Sequence, residues 1–127
     1  MDFSFSADQR LFQEAVRDLL DKECPPDAVR EAWESDGTGR SESRWAQLAE
    51  MGVLGLTTPE AFGGLGMDGL DLVLLLEEAG RACLPEPLVE TVAVAAPLLA
   101  DLSAGSSGAA AAEWLPKIAA GDGVVTV

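Results

Sequence analysis

Three groups of residues in this chain have types and spacings that could do chemistry. Gly64-Leu-Gly66-Met-Asp-Gly69 has the G-x-G-x-x-G spacing of loops that cradle a dinucleotide pyrophosphate. Such a loop needs a buried strand just before it and an acid on a second strand about 20 residues on. Pro59-Glu-Ala-Phe-Gly63 is no strand and no second strand follows, so the run is read as a structural glycine loop. Glu77 and Glu78 could pass for an acid/base pair, but neighbours on a helix point about 100° apart and cannot share one site. Arg81 lies four residues after Glu77, the order that favours a helical ion pair. Ser103, Ser106 and Ser107 have no histidine or nearby lysine to activate them and read as loop residues. The chain has no histidine at all, which removes the commonest general base and imidazole metal ligand. Its two cysteines, Cys24 and Cys83, form no C-x-x-C, so neither a zinc knuckle nor a redox dithiol is expected. No catalytic residue and no metal ligand is assigned, and reduced thiols in a cytoplasmic protein are the expectation.

The charge balance excludes further classes. Across 127 residues, 22 acids oppose eight bases for a net charge of -14, which disfavours nucleic acid and anionic membranes as partners. After Arg44 the only bases are Arg81 and Lys117, so a phosphate-rich ligand would need donors from elsewhere. The longest apolar stretch, residues 92–100, contains Pro97 and falls far short of the roughly 20 residues of a membrane span. The first residues have neither the basic start nor the apolar run of a signal peptide.

The elements that would position any site are helices. Ser6-Ala-Asp-Gln9 is a capping box, and Leu11, Ala15 and Leu19 beside Phe12, Val16 and Leu20 make a broad apolar stripe that ends before Pro25-Pro26. Asp18 and Lys22 are spaced for an ion pair. A short helix over residues 27–34, a flexible loop over 35–39 and a third helix capped by Ser41 and stopped at Gly52 follow. Residues 53–68 lose periodicity, and a loop of that length is functional or tightly packed. Residues 69–83 form a helix apolar on every side around Leu72, Leu75 and Leu76, expected as the buried axis. A fifth helix runs from Pro85 to about Ala96, Pro97 begins a further turn, and a last helix covers 109–120 with a disturbance at Pro116. Val124 to Val127 is a β-branched run with no strand to pair it, expected as an open edge. The fold class is all-α, an orthogonal or up-down bundle of five to six helices. On the fifth helix, Val89, Val92, Ala93 and Ala96 share one face at i, i+3, i+4 and i+7, suited either to close packing or to the wall of an apolar ligand slot.

Several of these pieces stand in a recognisable order. Asp2-Phe3-Ser-Phe5 with Gln9-Arg10, Trp45-x-x-Leu48-Ala-Glu50-Met-Gly52-x-Leu54-Gly55-Leu56, Pro59-Glu60-x-Phe62-Gly63-Gly64-Leu65-Gly66, Glu77-Glu78-x-Gly80-Arg81 and Leu115-Pro116-x-Ile118-Ala119-x-Gly121 resemble the amino-terminal helical domain of the acyl-CoA dehydrogenases over essentially the whole chain. The resemblance implies an FAD-dependent enzyme that dehydrogenates an acyl-CoA thioester, built with a middle β domain and a second helical domain as a homo- or hetero-oligomer. It implies residues 1–121 as the helical domain and 122–127 as the start of the β domain. The flavin strands and the usual base then lie in other domains or a partner subunit. The resemblance places Val89, Val92, Ala93 and Ala96 along the acyl cleft and implies that this chain alone holds no cofactor and is inactive. Pro85-Glu-Pro87-Leu88 with the downstream Pro97-Leu-Leu resembles members of actinobacterial-type catabolic sets, where substrates can be bulky and one subunit of a heteromer can lack the base, and it leaves substrate size open. The alternatives are a non-catalytic all-α interaction module and a domain of a flavin monooxygenase on the same fold.

Overall fold

The computed structural model describes residues 4–106 and 108–126, which form six α-helices with no strand among the described residues. They fall into two compact units, one holding the residues up to Arg40 with Val73–Pro85, the other Ser41–Leu72 with Glu86 onward.

In the first unit α1 (Ala7–Glu23) starts at the capping box: Ser6 Oγ accepts from the Gln9 amide at 3.1 Å, and Gln9 Oε1 accepts from the Ser6 amide at 2.9 Å. Its covered stripe is narrower than the pattern suggests. Val16 and Leu20 are buried and Phe12 half-buried, whereas Leu11 and Ala15 are exposed. Lys22 pairs with Glu23 at 3.6 Å rather than with Asp18. Pro25 and Pro26 open α2 (Pro26–Glu34), since proline suits a helix start where its missing N–H costs nothing.

Helix α4 (Gly69–Arg81) ends two residues before the expected Cys83, which adopts a left-handed φ of 50°. There the Leu84 amide bonds the Ala79 carbonyl, a C-terminal lock normally built on glycine. The expectation that this helix is buried all round is corrected. Leu72, Leu74 and Leu75 are buried, but Leu70 is 65% exposed, Val73 is exposed and Leu76 is half-buried. Five consecutive apolar residues occupy every face of a helix, and the described residues cover one side of it.

The second unit is built on α3 (Glu42–Glu50), a long loop and α6 (Gly108–Ala120). Ser41 caps α3, and Gly52 after it takes φ 81°, as its place beyond a helix end requires. The loop is core: Val53, Leu54, Leu56 and Thr58 are fully buried. Their lost helix bonds are replaced across the loop, with the amides of Leu65, Gly66 and Met67 donating to the carbonyls of Gly55, Thr58 and Leu56, each at 2.9 Å. A 3-10 turn, Glu60–Phe62, brings Phe62 against the cluster of Ala96, Ala111, Leu115 and Ile118. Pro116 stays inside α6 without ending it. Val125 packs on the same cluster and its carbonyl accepts from Thr91 Oγ1 at 2.9 Å, so the tail is held by a side chain instead of a partner strand. Val127 lies outside the described residues.

Candidate functional site

The fifth helix differs from the expected one. Val89–Ala95 is a π-helix that runs directly into α5 (Ala96–Asp101). The wider turn has a local cause in Pro97. An α-helical register would set its ring against the Ala93 carbonyl, and proline has no N–H to give. Instead the Ala96 amide reaches back five residues to the Thr91 carbonyl. In that register the Val92 carbonyl would be served by residue 97, which is proline, so it accepts from Thr57 Oγ1 at 3.1 Å. A buried carbonyl left unpaired would cost roughly 1–3 kcal/mol, which the threonine hydroxyl avoids.

This register divides the predicted face. Val92 and Ala96 are 0% exposed and belong to the core, whereas Val89 is 48% exposed and Ala93 half-buried. The outer surface continues through Val94 and Leu98, which is 51% exposed. These two were missed because 3.6-residue spacing does not apply to a π turn; the proline five residues after Val92 was the available signal. Leu98 also lines an apolar groove of about 490 Å³ with Leu99, Ala110, Trp114, Val124 and Val125.

Ionisable groups are arranged for structure. Glu78, fully buried in the first unit, accepts from Gln13 Nε2 at 2.9 Å, from Arg17 at 2.6 and 3.0 Å, and from Arg81 Nε at 2.6 Å. The Arg17 guanidinium above all, then Arg81 and Gln13, outweigh the desolvation of burial and pull the Glu78 carboxyl down to about 2. The same bonds raise both arginines above their ordinary value. Arg81 therefore pairs with Glu78 and with Asp21, not with Glu77, which is exposed. In the second unit Glu86 is buried against Arg44 at 2.9 Å and accepts from the Ser41 amide at 2.8 Å, tying the Pro85-Glu-Pro87 turn to the start of α3. Of the serines, Ser103 lies in a 3-10 turn, Ser106 is exposed, and Ser107 lies outside the described residues. No cluster of three metal-ligating side chains occurs among the described residues. No helix among them is long and apolar enough to cross a membrane.

The glycine loop cannot serve as a phosphate cradle. A Cβ on Gly64 would overlap the Thr58 carbonyl, and the amides of residues 64–68 are all spent inside the loop, that of Asp68 on the Asp71 carboxylate. Arg81 is engaged, and Lys117 bonds Glu113 at 2.9 Å while lying 4.8 Å above the Trp114 ring. Gly64 serves close packing, and Gly66 takes a left-handed φ of 62°.

Residues 6–122 match the family model described as acyl-CoA dehydrogenase, N-terminal domain. The chain belongs to this family. It is 37% identical over 123 residues to "Acyl-CoA dehydrogenase IpdE2" of Mycolicibacterium smegmatis, a match that covers 96% of this chain and 37% of that protein. The protein of the same name from Mycobacterium tuberculosis is 34% identical over 92% of this chain and 35% of its own. This acyl-CoA dehydrogenase domain therefore spans about a third of the length of the curated relatives it matches. Among solved structures, the ChsE4-ChsE5 complex from Mycobacterium tuberculosis aligns over 99% of this chain and 34% of its own, with TM-score 0.82 and 26% identity. A chain described as "Tcur3481-Tcur3483 steroid ACAD G363A variant" aligns over 90% of this chain and 30% of its own, with TM-score 0.72 and 30% identity. The family implies FAD; among the described residues the amides of 64–68 and the cations Arg81 and Lys117 are already engaged, so the glycine loop and these two cations do not fit its pyrophosphate.

Proposed function

We propose that this domain supplies an apolar wall of the acyl cleft of an FAD-dependent acyl-CoA dehydrogenase, while flavin, CoA phosphates and the proton-abstracting base are held by other domains or a partner subunit. The observation that carries this reading is the outer surface of the π-helix and α5, where Val89, Ala93, Val94 and Leu98 present apolar side chains beside the exposed Glu90. Apolar side chains on a cleft wall fit hydrocarbon. The matched proteins named acyl-CoA dehydrogenase, and the aligned ChsE4-ChsE5 complex with its two named components, support a cleft completed by further chain. A bulky acyl group is the favoured substrate class, supported by the small side chain of Ala93 on this wall and by the structural relative described as a steroid ACAD. The cytoplasm is the proposed location.

The domain expressed alone takes up no FAD and reduces no dye with an acyl-CoA; a yellow protein with stoichiometric flavin would overturn this division of labour. In the complete enzyme, Ala93→Phe narrows the cleft. The accepted acyl group becomes shorter or slimmer, with discrimination of about 1–3 kcal/mol per methylene displaced, while flavin content stays unchanged. The check is kcat/KM across a series of acyl-CoA thioesters. An unchanged profile in a folded variant returns this helix to packing alone.

A further inference from the structure

The π register of residues 89–95 is held by three groups outside the helix ladder. Pro97 has no amide to offer the Val92 carbonyl. Thr57 Oγ1 donates to that carbonyl at 3.1 Å from the buried loop, and Thr91 Oγ1 donates to Val125 at 2.9 Å, fastening the helix to the tail. A π turn carries one residue more than an α turn, so its two ends differ in facing by about 100° from the α-helical arrangement. In the α register Val89, Ala93 and Ala96 would share the outer face. In the register observed, Val94 and Leu98 take that face and Ala96 is fully buried.

We propose that Thr57 and Pro97 are the positioning residues that set the width of the acyl cleft, by holding the wall in the register that presents Val94 and Leu98 in place of Ala96. The inference rests on the acyl-wall reading given above and assigns to two residues outside the wall surface the choice of which side chains meet the ligand. Thr57 is the better lever. Without its hydroxyl, the Val92 carbonyl finds a donor only in the Ala96 amide, which draws the helix into the α register up to the proline.

The test is made in the complete, flavin-loaded enzyme with Thr57→Val, which removes the hydroxyl and keeps the shape, and Thr57→Ser, which keeps the hydroxyl. Pro97→Ala removes the ring that bars the α register at the Ala93 carbonyl, but its new amide can also serve the Val92 carbonyl in the π register, so its crystal structure is read before its kinetics. Kinetics are read against a linear and a bulky branched or ring-bearing acyl-CoA, and the register is read from the crystal structure of each variant. Expected for Thr57→Val is an Ala96 amide bonded to Val92, and a ratio of bulky to linear kcat/KM at least tenfold above wild type, carried by KM and with flavin content unchanged. A Pro97→Ala enzyme whose crystal structure shows the α register shifts the ratio in the same direction, and Thr57→Ser restores the wild-type ratio. A Thr57→Val enzyme that keeps the Ala96 to Thr91 bond, or one whose ratio matches wild type, overturns the inference. So does a Thr57→Ser enzyme that behaves like Thr57→Val. A wild-type enzyme that oxidises no acyl-CoA overturns the acyl-wall reading itself, and the specificity claim falls with it. An active wild type with an unresponsive Thr57→Val variant overturns this inference alone.

Discussion

Gly64→Ala is expected to lower the unfolding free energy of the chain by about 3 kcal/mol or more, the upper end for overpacking a core. The new Cβ would overlap the Thr58 carbonyl and crowd the Thr58 Cβ at 2.5 Å, and neither can give way. The Thr58 carbonyl accepts from Gly66 at 2.9 Å, and the Thr58 side chain is fully buried. Opening the loop to make room strains that bond and the neighbouring ones from Leu65 and Met67, and loosens Leu54 and Leu56 beneath it. Gly80→Ala is the control. It lies within α4, where a Cβ would meet nothing within 4 Å, so it should leave stability unchanged or raise it by up to about 1 kcal/mol. Urea denaturation midpoints of the two variants make the comparison; equal midpoints would mean that the loop yields to a methyl group and is not close-packed.

Glu78→Gln should cost about 2 kcal/mol at neutral pH. Removing one member of a buried ion pair typically costs about 3–5 kcal/mol, and the figure here is lower because the Arg17 and Arg81 side chains are 50% and 42% exposed and can turn to water. The wild type carries a pH signature as well. The folded-state value of Glu78, about 2, lies below its ordinary 4.5, so its contribution is fully present above pH 4.5 and is lost as pH falls from there toward 2. The variant lacks this group and should show a shallower acid limb over that window. Chemical denaturation of both proteins between pH 2 and 7 measures it; parallel curves would assign the acid sensitivity to other carboxylates.

The local rules were legible wherever one residue type determined one backbone event. Ser6 with Gln9 marks the start of α1, Pro25-Pro26 separates it from α2, Ser41 and Gly52 bound α3, and each appears where its chemistry requires. The motif order carried the family, and the family model covers residues 6–122, which hold every quoted motif after Phe5. The reading of the glycine run as structural rests on its missing strand, and the spent amides agree with it.

Facing was less legible. Composition shows that residues 72–76 are apolar, yet which of them is covered depends on what packs beside them, and Leu70 and Val73 remain exposed. Glu77 and Glu78 are both within reach of Arg81 by spacing. The structure selects Glu78 because Arg17 and Gln13 of α1 converge on it, a coincidence of two helices far apart in sequence. The same limit applies to the cleft wall. The sequence by itself determined that residues 92–100 are apolar and interrupted by a proline, because those are properties of the side chains alone. Tertiary structure completed the register: Pro97 leaves the Val92 carbonyl without an amide, and that carbonyl takes its donor from Thr57, 35 residues earlier, while Val89, Val94 and Leu98 face outward.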